Sequence, residues 1–127
     1  MPILQVRALP QKNPVRIPQA LKKATAAIAA AYGCPPSQVW ATWQELRPGW
    51  YVEGSQSANL QPNATHPPIA ELICFEGKPQ EVIEKTLTAA ATALAEGLAT
   101  GKNIFVSYQE LKSGQVIAGD GILRKSA

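Results

Sequence analysis

The chain carries the same order of hydrophobic patterns twice: a strand, a helix and a second strand. Residues 2–9 partly alternate apolar and polar side chains, which is typical of a β-strand. Residues 19–32 are rich in alanine and place apolar residues near helical spacing, and β-branched and aromatic residues over 39–44 predict another strand. The predicted apolar face of this first helix comprises Leu21, Ala24, Ile28 and Ala31.

The second unit follows the same course. It has a predicted strand over 68–75, a turn, an alanine-rich helix over 80–98 and a strand over 104–108. In the first unit, the residues at the helix ends support the predicted bounds: Pro18 is suited to the first helical position, and Gly33 is suited to the C-terminal end. The predicted apolar face of the second helix comprises Leu87, Ala90, Ala91 and Leu94.

A repeat at the level of single residues joins the two units. Trp43–Gly49 corresponds to Tyr108–Gly114, with Gln-Glu-Leu, a basic residue and a glycine at matching places. We therefore interpret the chain as a single domain made of two repeats, 1–54 and 67–121, joined by a polar linker over 55–66.

Two β-α-β units in one chain predict an α/β fold, with one four-stranded sheet and two helices on one face of it. Each connection is long enough for a right-handed parallel crossover. The opposite face of the sheet also carries apolar residues and has no second layer of helices to cover it. We therefore expect chains to associate into a closed oligomer.

Composition limits the classes of function. The formal net charge is +3 and no basic run exceeds two residues, which argues against a nucleic-acid partner and favours small anionic molecules. The sequence shows no signal-peptide pattern and no apolar stretch of ~20 residues, so we expect a cytoplasmic protein without membrane association. Cys34 and Cys74 are interpreted as buried small hydrophobes, and His66 as exposed. A single histidine and two distant cysteines complete no metal site, and we expect no cofactor.

Pro2 is the strongest candidate for chemistry. Proline is the only residue whose main-chain nitrogen is a secondary amine when it stands at the N-terminus. Removal of Met1 would give Pro2 a nitrogen with a usable lone pair, whereas retention of Met1 would leave a tertiary amide with neither proton nor basicity. An apolar pocket and nearby cations would lower the pKa of the free amine toward neutral pH, where a general base is most efficient.

A β-α-β unit with proline directly after the initiator methionine resembles the tautomerase superfamily. The resemblance covers nearly the whole chain. It depends on Pro2-Ile3, the helix length, the Glu45 region, the Gly49–Gly54 turn and the duplication. The resemblance is to 4-oxalocrotonate tautomerase (4-OT) and to doubled-length relatives such as malonate semialdehyde decarboxylase. It implies the fold shared with macrophage migration inhibitory factor, a homotrimer of doubled chains, and an N-terminal proline that moves a proton between carbons next to a carbonyl.

The resemblance also assigns residues. The turn arginine that binds a substrate carboxylate falls on Lys12, and in the second unit the turn cation falls on Lys78. The family's second arginine falls on Trp40, which favours a less charged ligand than a dicarboxylate. The aromatic wall of the pocket falls on Tyr51, with Trp50 beside it.

Residue chemistry adds Arg7, on the first strand, as a further cation and Tyr108 as a possible proton donor. Each candidate also has a structural interpretation: an edge-strand proline, a solvated cation, or an aromatic ring packed in a core or an interface. The candidate site comprises Pro2 as the catalytic residue and Lys12, Lys78, Arg7, Trp40, Tyr51, Trp50 and Tyr108 as substrate-binding residues.

Three functions fit these residues. The first is tautomerase-type isomerisation of a small enolisable carbonyl acid, with Pro2 as general base. The second is decarboxylation or hydration of a 3-oxo or unsaturated acid with protonated Pro2 as the acid; the family's acidic partner of proline falls near Gln38, which cannot ionise. The third is a non-catalytic binding or assembly module that retains Met1, since fold alone does not fix function.

Overall fold

The computed structural model describes residues 1–125. Both helices and all four long strands expected from the hydrophobic pattern are present, and a short hairpin of two further strands was not expected. In chain order, the elements are β1 (Ile3–Ala8), α1 (Arg16–Tyr32), β2 (Trp40–Glu45), β3 (Val52–Glu53), β4 (Gln56–Ser57), β5 (Ile69–Phe75), α2 (Gln80–Leu98) and β6 (Phe105–Leu111).

The four long strands form one mixed sheet in the order β2-β1-β5-β6. The strands within each unit are parallel, and the two units meet through β1 and β5, which are antiparallel. The units also correspond in backbone detail: the Trp40 N–H donates to the Pro2 carbonyl and the Phe105 N–H donates to the Pro68 carbonyl, each at 3.0 Å. The predicted four-stranded sheet with two helices on one face is confirmed.

The alternation of buried and exposed side chains along β1 shows which face of the sheet packs against the helices. Leu4 and Val6 are buried in the core, whereas Gln5 and Arg7 point to the opposite face and are exposed. Each fully buried aliphatic side chain contributes roughly 1.5–3 kcal/mol, so the pattern fixes which face is covered. The main core cluster between sheet and helices comprises Leu4, Val6, Ala24, Ile28, Ala29, Tyr32, Val39, Ala70, Leu72, Cys74, Ala90, Ala93 and Leu94.

The first helix ends at the position that Gly33 indicates, but it begins earlier than the position that Pro18 indicates. Gly33 has φ 88° and caps α1 by donating to the Ala29 carbonyl. The prediction that Pro18 is the first helical residue is wrong by two positions, because α1 begins at Arg16. Pro18 is tolerated there because the first backbone N–H groups of a helix have no partner inside it.

The two helices pack very closely at Gly97. A Cβ placed on Gly97 would lie 2.7 Å from the Cα and the Cβ of Ala20. Because Ala20 is fully buried on α1, neither backbone has room to move without opening the core. Glycine at this point of α2 is therefore a packing requirement.

We expect Gly97→Ala to lower the free energy of unfolding by about 1–3 kcal/mol, because overpacking outweighs alanine's helix-propensity gain of about 1 kcal/mol. Urea unfolding measures the change. Thr88→Ala, on the exposed surface of α2, is the matched control and should stay within about 0.5 kcal/mol of the parent. Equal stability of Gly97→Ala and the parent would contradict the close packing.

The segment between the two units is structured. It contains β4, and Gln61 and His66 are buried, at 6% and 3% exposed. The prediction that His66 is exposed is therefore wrong. Its ring nitrogens lie 2.8 Å from the Gln56 carbonyl oxygen and 2.9 Å from Thr65 Oγ1, which satisfies both polar atoms of the ring.

Neither helix within residues 1–125 combines the length and the apolar character needed to cross a bilayer. Over the same residues, no three histidine, cysteine or acidic side chains are grouped so that they could hold a metal ion.

Candidate active site

The N-terminal residue, just before β1, lines an open cleft of about 440 Å³. Pro2 is less than 2% exposed, and Met1, which precedes it, lines the cleft. Removal of Met1 would therefore leave the prolyl nitrogen as the chain terminus beside this cleft. The other lining residues include Tyr32, Gly33, Cys34, Gln38, Phe75, Glu76, Gly77, Lys78 and Arg124.

Lys78 reaches this cleft because β1 and β5 are antiparallel. The end of β5 lies beside the start of β1, so the turn after Phe75 is next to Pro2. The Lys78 Nζ atom lies 4.4 Å from the centroid of the Tyr32 ring, a cation–π contact. The Tyr32 hydroxyl in turn donates to the Phe75 carbonyl at 3.4 Å. Lys78 is thus positioned by its neighbours and not left as a mobile turn lysine.

The cleft disfavours a charged N-terminal amine. Burial is the main cause that lowers the pKa of the Met1 amine below its ordinary value. Cys34 and Cys74 act against this shift, while Lys78 and Arg124 add to it. The same surroundings would act on the Pro2 amine after Met1 removal, and they favour its neutral, basic form.

Cys74 and Tyr108 lie in the core and not in the cleft lining. Burial raises the pKa of the Cys74 thiol to about 11. Burial first, and then contact with the Cys74 thiol, raises the pKa of Tyr108 far above its ordinary value. The Tyr108 hydroxyl is buried beside that thiol and forms no hydrogen bond of regular geometry with the described residues. Tyr108 is therefore poorly placed as a proton donor.

The expectation for the cysteines is confirmed for Cys74 and wrong for Cys34. Cys74 is fully buried, whereas Cys34 is partly exposed and lines the cleft. Cys34 follows Gly33, whose left-handed conformation ends α1 and turns the chain toward the start of β1. The difference arises from the turn geometry and not from residue type.

Trp40 lies beside Pro2, as its register in the sheet requires. It opens β2 opposite Ile3 and is 44% exposed. A Cβ placed on Gly119 would lie 3.0 Å from two carbons of the Trp40 ring. The ring therefore packs against the segment that follows β6, and the aromatic residues of the candidate site do not form one wall.

A second, smaller cleft of about 210 Å³ occupies the corresponding place in the repeat. It is lined by Lys12 where the first cleft has Lys78, and by Leu98 where the first has Tyr32. The residue equivalent to Pro2 is Pro68, whose nitrogen is an internal amide. Only the first cleft can acquire a basic proline nitrogen.

Linker residues 61–63 line the second cleft, whereas Met1 lines the first. Gln61 lines this cleft, and its amide donates to the His66 carbonyl at 2.8 Å. The Asn103 amide donates to the Thr65 carbonyl at 2.8 Å. These hydrogen bonds hold the segment before Pro68 against the body of the protein.

The other candidate residues lie away from Pro2 within the chain. Lys12, Trp50 and Tyr51 follow the ends of β1 and β2, and a strand of six residues separates those ends from Pro2 by about 20 Å. Tyr51 donates to the Pro67 carbonyl at 2.7 Å, and Trp50 is 70% exposed. Arg7 lies on the open sheet face, where its Nη2 is 3.4 Å from Glu71 Oε1.

Tyr32 and Arg124 belong to the cleft but were not among the residues predicted from the sequence. Tyr32 is the last residue of α1 and had been treated as part of the helix end. Arg124 lies beyond the second repeat, where no internal repeat guides the assignment. The available signal was a basic residue close after the duplicated unit, which becomes informative only once strand order is known.

Comparisons with known proteins support the architecture. No protein-family model matches the chain, and no curated protein matches it. Solved structures do match. Fused 4-OT, described as a wild-type symmetric trimer, is 17% identical with a TM-score of 0.81, and the match covers 95% of this chain and 94% of that one. The chain has the fold of the tautomerase superfamily.

Two further structures with this tautomerase fold are similar. Pt0534, solved after inactivation by 2-oxo-3-pentynoate, is 18% identical with a TM-score of 0.79, over 95% of this chain and 94% of that one. Malonate semialdehyde decarboxylase is 18% identical with a TM-score of 0.73, over 94% of this chain and 92% of that one. The doubled-length form of the fold predicted from the repeat is therefore present.

Proposed function

We propose that this protein is a tautomerase-type isomerase, which acts on a small enolisable carbonyl acid with Pro2 as general base after removal of Met1. The observation that carries the proposal is the position of Pro2 directly after Met1, which lines a cleft that also contains Lys78 and Arg124. A base, a cation for a carboxylate and a partly dry pocket are the parts that such proton transfer needs.

In the proposed reaction, the lone pair of the Pro2 nitrogen takes a proton from a carbon next to the substrate carbonyl. The electron pair of the broken C–H bond forms the C=C bond of an enolate, and the negative charge moves to the carbonyl oxygen. The prolyl ammonium then returns the proton to a carbon of the enol system. Lys78 holds the carboxylate during both steps and favours the negative intermediate electrostatically.

The charges around the cleft favour a base over an acid at Pro2. Decarboxylation or hydration by protonated Pro2 would need an acidic partner to hold the proton on the amine. Gln38, which lines the cleft, cannot ionise, and the burial, Lys78 and Arg124 that lower the pKa of the Met1 amine would also act against an ammonium at Pro2. Decarboxylase or hydratase chemistry, and a non-catalytic role with Met1 retained, are the alternatives.

We further propose that the chain forms a homotrimer in the cytoplasm, with a small molecule as its partner. The fused 4-OT of similar fold is described as a trimer. In this chain, Trp40 and Phe105, at the two edges of the sheet, are 44% and 52% exposed on the face opposite the helices, where a second chain could cover them. Both cysteines are free thiols, as a reducing compartment requires.

The test combines intact mass with deuterium exchange. We expect untagged protein to lack Met1 by mass, and to catalyse exchange of the C3 hydrogens of 2-oxobutanoate in D₂O, followed by proton NMR. Exchange requires only the proton transfer proposed for Pro2, so the natural substrate need not be known. Loss of Met1 without exchange above the buffer rate would refute the proposed function. Retention of Met1 would favour the non-catalytic alternative.

A further inference from the structure

We propose that Arg124, from the segment that follows β6, is a second cation of the Pro2 cleft and that Lys78 and Arg124 together bind a single carboxylate. The inference rests on the proposed function for its catalytic meaning, and it names the substrate class as monocarboxylic 2-oxo acids. Arg124 takes the role of a cation that the start of β2 lacks, because Trp40 stands there.

Strand direction brings the C-terminal segment to the cleft. β6 is parallel to β5, so both strands end at the edge of the sheet where β1 begins, with β5 between β1 and β6. The chain then turns back on itself: the Gly114 N–H donates to the Arg124 carbonyl at 2.7 Å, and the Arg124 N–H donates to the Val116 carbonyl at 2.9 Å. Arg124 is thereby fixed at the cleft by backbone hydrogen bonds on both sides.

The Arg124 guanidinium is oriented by Asp120. Its Nη2 lies 2.6 Å from Asp120 Oδ2, and Asp120 Oδ1 accepts the Ile122 N–H at 3.0 Å. A guanidinium has five N–H donors, so this pairing leaves donors for a ligand in the cleft. The side chain is 37% exposed, which leaves it accessible to a ligand.

Trp40 and Gly119 hold the segment in place. Gly119 packs so closely on the Trp40 ring that a Cβ there would lie 3.0 Å from two of its carbons. Trp40, which stands at the position of the family's second arginine, therefore supports the segment that supplies Arg124. This arrangement explains how a cleft with tryptophan at that position keeps two cations.

The charges favour a ligand with one carboxylate. Lys78 and Arg124 supply two positive charges at the cleft, and Asp120 neutralises one of them. Glu76, which also lines the cleft, lies 3.9 Å from Lys112, and Glu110 shares that lysine at 3.8 Å, so these three side chains together carry one negative charge. Among the described residues Lys78 has no acidic partner within ion-pair distance, so its charge is available to a ligand, which matches a single carboxylate held by charge-assisted hydrogen bonds.

The test uses calorimetric binding of 2-oxobutanoate to full-length protein lacking Met1. We expect Arg124→Gln to raise the dissociation constant about 10-fold, as loss of a charge-assisted hydrogen bond does. Arg124→Lys should recover part of the affinity, because it restores the charge but not the fork. Lys125→Gln, which removes one positive charge from the neighbouring exposed residue, should leave the affinity within about twofold.

Each result decides a defined point. Equal affinities of Arg124→Gln and Lys125→Gln, or no binding by the parent protein, would overturn the role of Arg124. Binding of 2-oxoglutarate about 10-fold more tightly than 2-oxobutanoate would overturn the single-carboxylate class. If the parent binds 2-oxobutanoate with the expected variant pattern but catalyses no exchange, the proposed function fails while the binding role of Arg124 stands.

Discussion

Pro2→Ala should lower the turnover number for C3 exchange of 2-oxobutanoate by about 10²–10⁴-fold, with a much smaller change in KM. The reason is that a positioned general base contributes a factor of this size to the transition state and little to ground-state binding. Exchange rates at several substrate concentrations separate the two constants. Pro2 is buried at the start of β1, so thermal unfolding of the variant should be measured alongside.

The matched control for Pro2→Ala is the parent chain with Met1 retained, whose Pro2 nitrogen is an amide. Both proteins keep Lys78, and in both the exchange rate should fall at least about 10²-fold while 2-oxobutanoate still binds. Full activity in either protein would show that another group moves the proton.

A pH profile distinguishes a base from a structural residue. The neutral amine is the active form. We therefore expect kcat/KM to be maximal above the pKa of the Pro2 amine and to fall as the pH drops below that pKa. Burial, with Lys78 and Arg124, lowers the pKa of the Met1 amine despite the opposing effect of Cys34 and Cys74, and we expect the same surroundings to act on the Pro2 amine. The midpoint should therefore lie below the pKa of the same amine in the free peptide Pro-Ile-Leu-Gln. A midpoint at or above the peptide value would refute the proposed tuning.

Hydrophobic periodicity was sufficient to predict the architecture. Strand alternation and the alanine-rich helices depend on local sequence, and so does Gly33, which only glycine suits at φ 88°. The repeat then indicated how the two units relate. These features are encoded over short distances, and each has a direct physical cause in the residues that form it.

The composition of the cleft could not be predicted in the same way. Which turn lysine accompanies Pro2 depends on the antiparallel pairing of β1 with β5, a contact between residues far apart in sequence. That pairing brings Lys78 to Pro2 and leaves Lys12 at the other end of the sheet. Arg124 reaches the cleft only because β6 runs parallel to β5 and the chain turns back after it.

Lys78→Gln should raise KM for 2-oxobutanoate about 10-fold or more, with little change in turnover number, because Lys78 binds the carboxylate in both ground and transition states. The matched comparison is Lys12→Gln, which removes the equivalent lysine from the second, smaller cleft. Lys12 lies near the linker residue Gln61 and far from Pro2, so a site formed within one chain predicts no change in KM for that variant.

The pair of lysine variants also reports on assembly. If Lys12→Gln raises KM as strongly as Lys78→Gln, a neighbouring chain must bring its own Lys12 to the Pro2 cleft, and the site is completed across a subunit boundary. Activity should then fall on dilution as chains separate, whereas a site confined to one chain keeps its activity as long as that chain stays folded. If neither variant changes KM, carboxylate binding by the turn lysines is refuted and Arg124 alone would have to supply it.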